Sequence, residues 1–252
     1  MYTTTFKTQW VRQTINLLGL VLLVFAFNVN AKEYSLLNVS YDVSRELYKD
    51  INTAFTDYWL KKSTDKVTIQ QSHDGSTKQV AAVIAGLEAD VVTMNQETDV
   101  DKLVSKDLVN KEWRSRFPDN SAPYTSTTVF LVRKGNPKAI KDWDDLIKPG
   151  TVAVLSNPKT SGNARYSYLA AWGYALRQWG SDEKAQDFVT QLFKNVPVLS
   201  TGGRAATNTF IQNNIGDVLL TFENEAFLIA NDSEIVNVVV ASTVKTYATF
   251  LA

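Results

Sequence analysis

From Leu36 onward the chain switches repeatedly between two hydrophobic periods. Short runs rich in branched side chains read as buried strands, and longer runs with apolar residues every three to four positions read as helices. Leu36–Ser40 (LLNVS) reads as a strand, and Asp42 and Ser44 offer caps for a helix with Leu47, Ile51, Phe55 and Tyr58 on its apolar face. Val67–Gln71 is a second strand, followed by a helix carrying Val80, Val83, Ile84 and Leu87, and Ala89–Met94 is a third strand. This β-α-β-α-β order implies parallel strands joined by right-handed crossovers.

Asn95 to Tyr124 is polar and helical in pieces around Val100–Leu108. Thr127–Arg133 (TTVFLVR) is a strong strand ended by the turn Gly135-Asn136-Pro137. Trp143–Ile147 gives one or two helical turns before Pro149-Gly150. A second series then begins: strand Thr151–Ser156, helix Gly162–Trp179, helix Asp182–Asn195, strand Val196–Ser200, helix Ala205–Asn214, strand Asp217–Phe222 and helix Glu223–Asn231. Ile235–Val240 is apolar and β-branched, and nothing in Ala241–Ala252 reads as a completed element. Two series suggest two lobes, with crossings expected at Thr127–Arg133 and near Phe227–Ile235. In open parallel sheets the ligand site lies beyond the carboxyl ends of the strands.

The N-terminus departs from this pattern. Lys7 and Arg12 precede an uncharged apolar run, Leu17–Phe27, and Val29-Asn30-Ala31 ends on a small residue suited to signal peptidase. Residues 1–31 are therefore expected to be a cleaved secretory leader, too short in its apolar part to span a bilayer. The remainder carries two more acidic than basic residues. That balance argues against a nucleic-acid partner, which calls for a basic surface. With no cysteine and one histidine, His73, the chain offers no disulfide framework and no His/Cys zinc cluster, and we expect no metal and no cofactor.

Candidate chemistry gathers at strand-to-helix junctions. In Asn157–Tyr168 (NPKTSGNARYSY), Ser161 stands where a helix begins, with a hydroxyl, a glycine and unpaired backbone N–H groups in one place. One such turn alone is an ordinary Ser N-cap. The chain repeats it at Tyr41-Asp42-Val43-Ser44, Gly75-Ser76-Thr77 and Thr201-Gly202-Gly203. Convergence of several would make a neutral cage of N–H and O–H donors for a dianion. His73 has no nucleophile placed beside it by spacing and reads as a loop-packing residue. Ser161 lacks the G-x-S-x-G elbow of a catalytic serine, and no catalytic residue is assigned. Trp172, Tyr174 and Trp179 read as core.

The runs LLNVSYDVSRELY, QSHDGSTKQ, EADVVT, DNSAPYTSTTVFLVRKGNPK, NPKTSGNARYSYLAAWGYAL and IGDVLLTFENEA resemble the sulfate/thiosulfate-binding proteins that serve periplasmic ABC importers. The resemblance covers nearly all of Tyr34–Asn231. It implies an α/β, two-lobed periplasmic binding protein of type II-like organisation, each lobe a mostly parallel sheet flanked by helices, with the ligand in the interlobe cleft. The lobes would be residues 32–126, 127–227 and a return to the first lobe at 228–252. A monomer in the periplasm, handing sulfate or thiosulfate to membrane permease subunits of an ABC importer without catalysis, is the function implied.

Carried onto this chain, the family's ligand positions are Ser76, Ser161, Gly162, Asn163 and Gly203. Asp42 matches an aspartate near the ligand in the first loop, counted among the ligand-binding residues and acting on the surrounding backbone. Phe222 stands where the family often has a tryptophan donor, and Asn163 and Asp74 stand where glycine is usual. We expect Asp74 to point outward and Arg165 to act as a tether. Ala241–Ala252 departs from the family pattern, as a truncated chain would. Three other readings stay open: another tetrahedral oxyanion such as phosphate or molybdate, a secreted α/β hydrolase, and a non-binding truncated remnant.

Overall fold

The computed structural model describes residues 31–232, 236–239 and 246–251. The expected leader, apart from Ala31, lies outside the described residues, as do Ile235 and Val240. Strand β1 (Glu33–Tyr41) pairs in parallel with β2 (Lys66–Asp74) along its whole length and with β3 (Val91–Met94) near its end. Helices α1 (Arg45–Lys62) and α2 (Ser76–Ile84) make the two crossovers, and α3 (Glu97–Val104) follows β3. The register sets Tyr41 opposite Asp74 and Ser40 opposite Thr93, so the loops after all three strands leave from one edge.

The second half is built from β4 (Tyr124–Arg133), β5 (Ala153–Ser156), β6 (Leu199–Ser200), β7 (Val218–Phe222) and β8 (Val236–Val239). Its helices are α4 (Gly162–Trp179), α5 (Asp182–Lys194), α6 (Gly203–Ile211) and α7 (Glu223–Asp232). Strand β9 (Thr246–Leu251) joins the halves, giving the order β2-β1-β3-β9-β4-β7-β5-β6 with β8 also on β4. The pairings of β5 with β6 and β7 are parallel, whereas β4 is antiparallel to β7, β8 and β9. The sheet is thus mixed at the junction and parallel on either side of it.

β4 passes between the halves. Its first part, Tyr124–Thr127, pairs with β9, and Thr128–Val132 pairs with β7. Alternation along the strand divides its side chains between two cores. Phe130 and Val132 face α4 and α5 with Trp143, Leu155, Tyr174 and Phe188; Val129 and Leu131 face α6 and α7 with Phe210 and Ile229. A third core joins Val39, Val80, Val92, Val100, Leu103 and Trp113 beneath α2 and α3.

Three expectations need correction. Thr246–Leu251 forms a strand where the sequence reads as no element; its pairing with β3 and β4 is a long-range backbone ladder that local pattern does not carry. The strand expected at Val196–Ser200 shrinks to Leu199–Ser200, because Pro197 has no N–H to give a ladder. The apolar stripe of α1 does not face a core among the described residues: Leu47, Ile51, Phe55 and Tyr58 are all exposed, and Tyr48, from a different face, is the buried residue. Tyr48 sets that rotation through its hydroxyl, 2.6 Å from Thr93 Oγ1 on β3. Trp172 and Tyr174 pack against the core as expected, and Trp179 rests on Phe188 at 5.4 Å while half-exposed.

Leu131 lies on β4 between Leu219 of β7 and Val238 of β8, fully buried. Leu131→Ala should lower unfolding free energy by about 2–5 kcal/mol, read as a lower urea midpoint at unchanged m-value. A loss well under 1 kcal/mol would show that β4 is not a packed spine.

Candidate functional site

The carboxyl ends of β1, β2, β5 and β6 each run directly into the start of a helix. Four such starts meet: a 3-10 turn Asp42–Ser44 leading into α1, then α2, α4 and α6. None of the four capping positions, Tyr41, Gly75, Ser161 and Gly202, satisfies its own helix through a side chain. Two other helix starts do have such caps, whereas α3, preceded by Gln96, does not. Ser181 accepts from Lys184 N–H at the start of α5, and Asp142 with Asp145 forms a capping box around Trp143–Ile147.

The halves approach through backbone. A β-carbon on Gly75 would stand 2.5 Å from the Thr160 carbonyl oxygen and 2.6 Å from that of Thr201. One on Gly202 would stand 2.3 Å from Asp42 Oδ2, and one on Gly162 would collide with the Asn95 side-chain amide. Glycine is required at these positions by close approach, not by backbone angle.

Each expected site residue can now be placed. Ser161 is 1% exposed; its Oγ accepts from Ser156 Oγ at 2.9 Å, which leaves its own proton to donate. Gly162 and Asn163 open α4 beside it, both buried. Ser76 is buried at the start of α2, but its hydroxyl donates to Asp99 Oδ2 at 2.7 Å, so what it offers the cleft is backbone N–H. Asp42 crosses to the start of α6, where its carboxylate accepts the Arg204 N–H at 2.8 Å and also the Gly203 N–H. The Gly203 N–H expected for an anion is therefore directed at Asp42 here. Burial pushes the Asp42 carboxyl above its ordinary value, and those two N–H groups pull the other way. Phe222 is buried with Tyr41 and Val43 and forms an apolar wall without a donor.

The basic residues of the site are committed to partners across the cleft. Arg165 on α4 donates to Gln96, Thr77 and Asp99, three groups of the first half, and so tethers the halves. Arg204 on α6 bonds Glu46 of α1. Asp74 accepts from the Gly75 N–H and from Lys78, both at 2.7 Å, on a half-exposed flank. His73 Nδ1 lies 2.7 Å from Ser40 Oγ and Nε2 lies 2.5 Å from Gln71 Oε1; burial and nearby Arg45 hold its pKa down at about 4.

Two residues were missed in the sequence. Asn95 follows β3, is 1% exposed, and leaves Oδ1 without a hydrogen-bond partner against Gly162. Glu225 on α7 is fully buried; Oε1 accepts from Thr207 Oγ1 at 3.0 Å, and Arg204 lies 3.2 Å from Oε2 without hydrogen-bond alignment. Burial raises Glu225 to about 7 despite Arg204 and Thr207. Neither stands in a strand-to-helix loop of small residues, which was the pattern that marked the others.

An α/β scaffold in which helix starts from two halves meet at opposed strand ends has the fold of the periplasmic binding proteins. Residues 37–252 match the model of the bacterial extracellular solute-binding protein family, and the chain belongs to that family. The match includes Ala241–Ala252, the stretch set apart in the sequence. The chain is 62% identical over 198 residues to a thiosulfate-binding protein of Pseudomonas aeruginosa, covering 78% of this chain and 60% of that one. It is 58% identical over 215 residues to the sulfate-binding protein of Escherichia coli, covering 85% and 65%. The chain thus spans less than two thirds of the length of these curated relatives. Among solved structures, the sulfate-binding protein SubI from Mycobacterium tuberculosis superposes with a TM-score of 0.79 at 31% identity, over 87% of this chain and 75% of SubI. PEB3 with bound L-phospholactate, at a TM-score of 0.56 and 15% identity over 86% and 85%, shares the fold alone.

Glu225 carries a pH signature. An acid whose pKa is higher in the folded chain favours folding while both states are protonated, and that advantage is lost as pH rises from about 4.5 to about 7. Glu225→Gln should flatten the decline in melting temperature between pH 5 and pH 8, by up to about 3 kcal/mol of unfolding free energy at the upper end. An unchanged slope would place the titration elsewhere, with Asp42, shifted the same way, the next group to test.

Proposed function

We propose that this chain is a periplasmic receptor that captures sulfate or thiosulfate and presents it to the permease subunits of an ABC importer. The observation that carries the reading is the meeting of helix starts left without side-chain caps, beside basic side chains already neutralised by Asp99 and Glu46. Such a place favours an anion through oriented N–H groups and a helix dipole. The ligand positions are Ser76, Ser161, Gly162, Asn163 and the region of Gly203, with Asp42 ordering the α6 turn and Phe222 as wall. The names of the relatives above support the same ligand class. Binding and release require no bond-making step, so the protein acts as a carrier and not as an enzyme.

Residues 32–126 and 127–227 serve as two lobes, the chain from 228 onward returning to the first. Closing them brings α2 and α4 together, and Arg165 latches them once closed. Opening releases the anion to the membrane partner. One observation favours a second reading: the unpaired Asn95 Oδ1 is an acceptor, which hydrogen phosphate could use and sulfate could not.

Isothermal titration with sulfate, thiosulfate and phosphate separates the two. Binding of sulfate or thiosulfate but not phosphate is expected, with Ser161→Ala weakening it about tenfold or more, the loss of one charge-assisted hydrogen bond. Tight phosphate binding with none of sulfate would overturn the reading.

Gly75→Ala tests closure. A methyl group there meets two backbone carbonyl oxygens of the other half, so the folded chain should stay open. Small-angle scattering should then show no compaction on adding sulfate, where the parent chain contracts. Equal compaction in both would rule out these loops as the point of closure.

A further inference from the structure

Asn163 is the second residue of α4 and is 2% exposed. Its Nδ2, a side-chain amide nitrogen with two N–H groups, is buried and has no hydrogen-bond partner. Buried amide donors are almost always satisfied, because leaving one bare forfeits its bond to water without replacement. The direction of this one is fixed by its neighbours. It lies 3.5 Å from where a β-carbon on Gly203 would stand, the space also bounded by Val43 Cγ1 and Asp42 Oδ1. The nitrogen therefore reaches across from the start of α4 towards the start of α6. It hydrogen-bonds to none of the protein acceptors around it, Asp42 included.

We infer that the Asn163 side-chain amide is itself a ligand donor, giving an N–H to an oxygen of the bound oxyanion in addition to the backbone N–H of the same residue. This rests on the oxyanion reading above and adds a specific selector to it. A backbone N–H at this position survives any substitution except proline, so backbone recognition alone is blind to the side chain. The amide N–H discriminates, because it is stabilised by an acceptor and by nothing else within reach. No protein group satisfies it, and an anion in the cleft would supply the acceptor. The side chain then contributes to affinity without adding a positive charge, in keeping with the neutral character of the rest of the site.

Two variants of the full chain test this by calorimetric titration with sulfate. Asn163→Gly keeps the backbone N–H and removes the amide. It should weaken sulfate binding about 10- to 100-fold, the range of one hydrogen bond to a charged acceptor. Its melting temperature without anion should stay within a few degrees of the parent, since the amide nitrogen makes no hydrogen bond to the protein and only its packing is lost. Asn163→Asp is matched in shape and replaces the donor with an acceptor that repels the anion; its carboxylate is buried near Asp42, so its melting temperature is measured first, and where it folds it should weaken binding further still. Sulfate affinity in Asn163→Gly equal to or tighter than the parent would overturn the inference while leaving the receptor reading intact. A parent chain that binds no sulfate, with Ser161→Ala equally silent, would instead sink the receptor reading and this inference with it.

Discussion

The structure depends on one steric constraint: the two halves touch through main chain. Carbonyl oxygens of Thr160 and Thr201 occupy the volume that any side chain at position 75 would need, and Asp42 occupies that volume at position 202. Only glycine permits helix starts from opposite halves to come this near. Everything polar in the cleft follows from that proximity. The starts of α2 and α4 come together only because no β-carbon separates them, and the same closeness lets Asp42 cap a helix of the opposite half.

Closeness also decides how charge is handled. Arg165 and Arg204 sit beside the cleft, yet both point into carboxylates and polar groups of the facing half. They act as struts, and Asp99 and Glu46 absorb their charge. What remains at the cleft is a set of neutral dipoles, an arrangement that favours an acceptor-rich group over a positively charged one. Buried carboxylates at Asp42 and Glu225 sharpen this, since a guest that brought net charge without filling the donors would meet repulsion. The uncapped state of Ser161 belongs to the same scheme. Ser156 donates to it, which turns the Ser161 proton outward; its own helix makes no claim on that oxygen.

Much of this was legible in the sequence, for an identifiable reason. The order of β1 to β3, the span Gly162–Trp179 and the glycine- and serine-bearing junctions are local patterns, and local patterns survive translation into a fold. Asp74 and Arg165 also took the roles expected of them. What failed was non-local. The stripe on α1 predicts which side chains share a face, but the rotation of that face is set by Tyr48 reaching Thr93, forty-five residues away. β9 exists through its ladder partners and has no periodic signature of its own. Asn95 and Glu225 owe their placement to packing against Gly162 and Arg204, which only the assembled halves create.

The same distinction separates two kinds of selectivity in the cleft. Helix starts and glycines come with the fold, and a strand-loop-helix unit provides them wherever its turn is tight. They make the place receptive to anions in general. Side chains that point into it without a protein partner, Asn163 with its donor and Asn95 with its acceptor, are not required by the fold at all. The protein itself offers them no partner, so each is left for whatever occupies the cleft. A guest rich in acceptors settles the donor on one side of Gly162 and leaves the acceptor on the other unanswered. A guest carrying both kinds of group settles both. What any guest would need is therefore set less by the glycine loops, which the fold itself requires, than by the balance between these two amides.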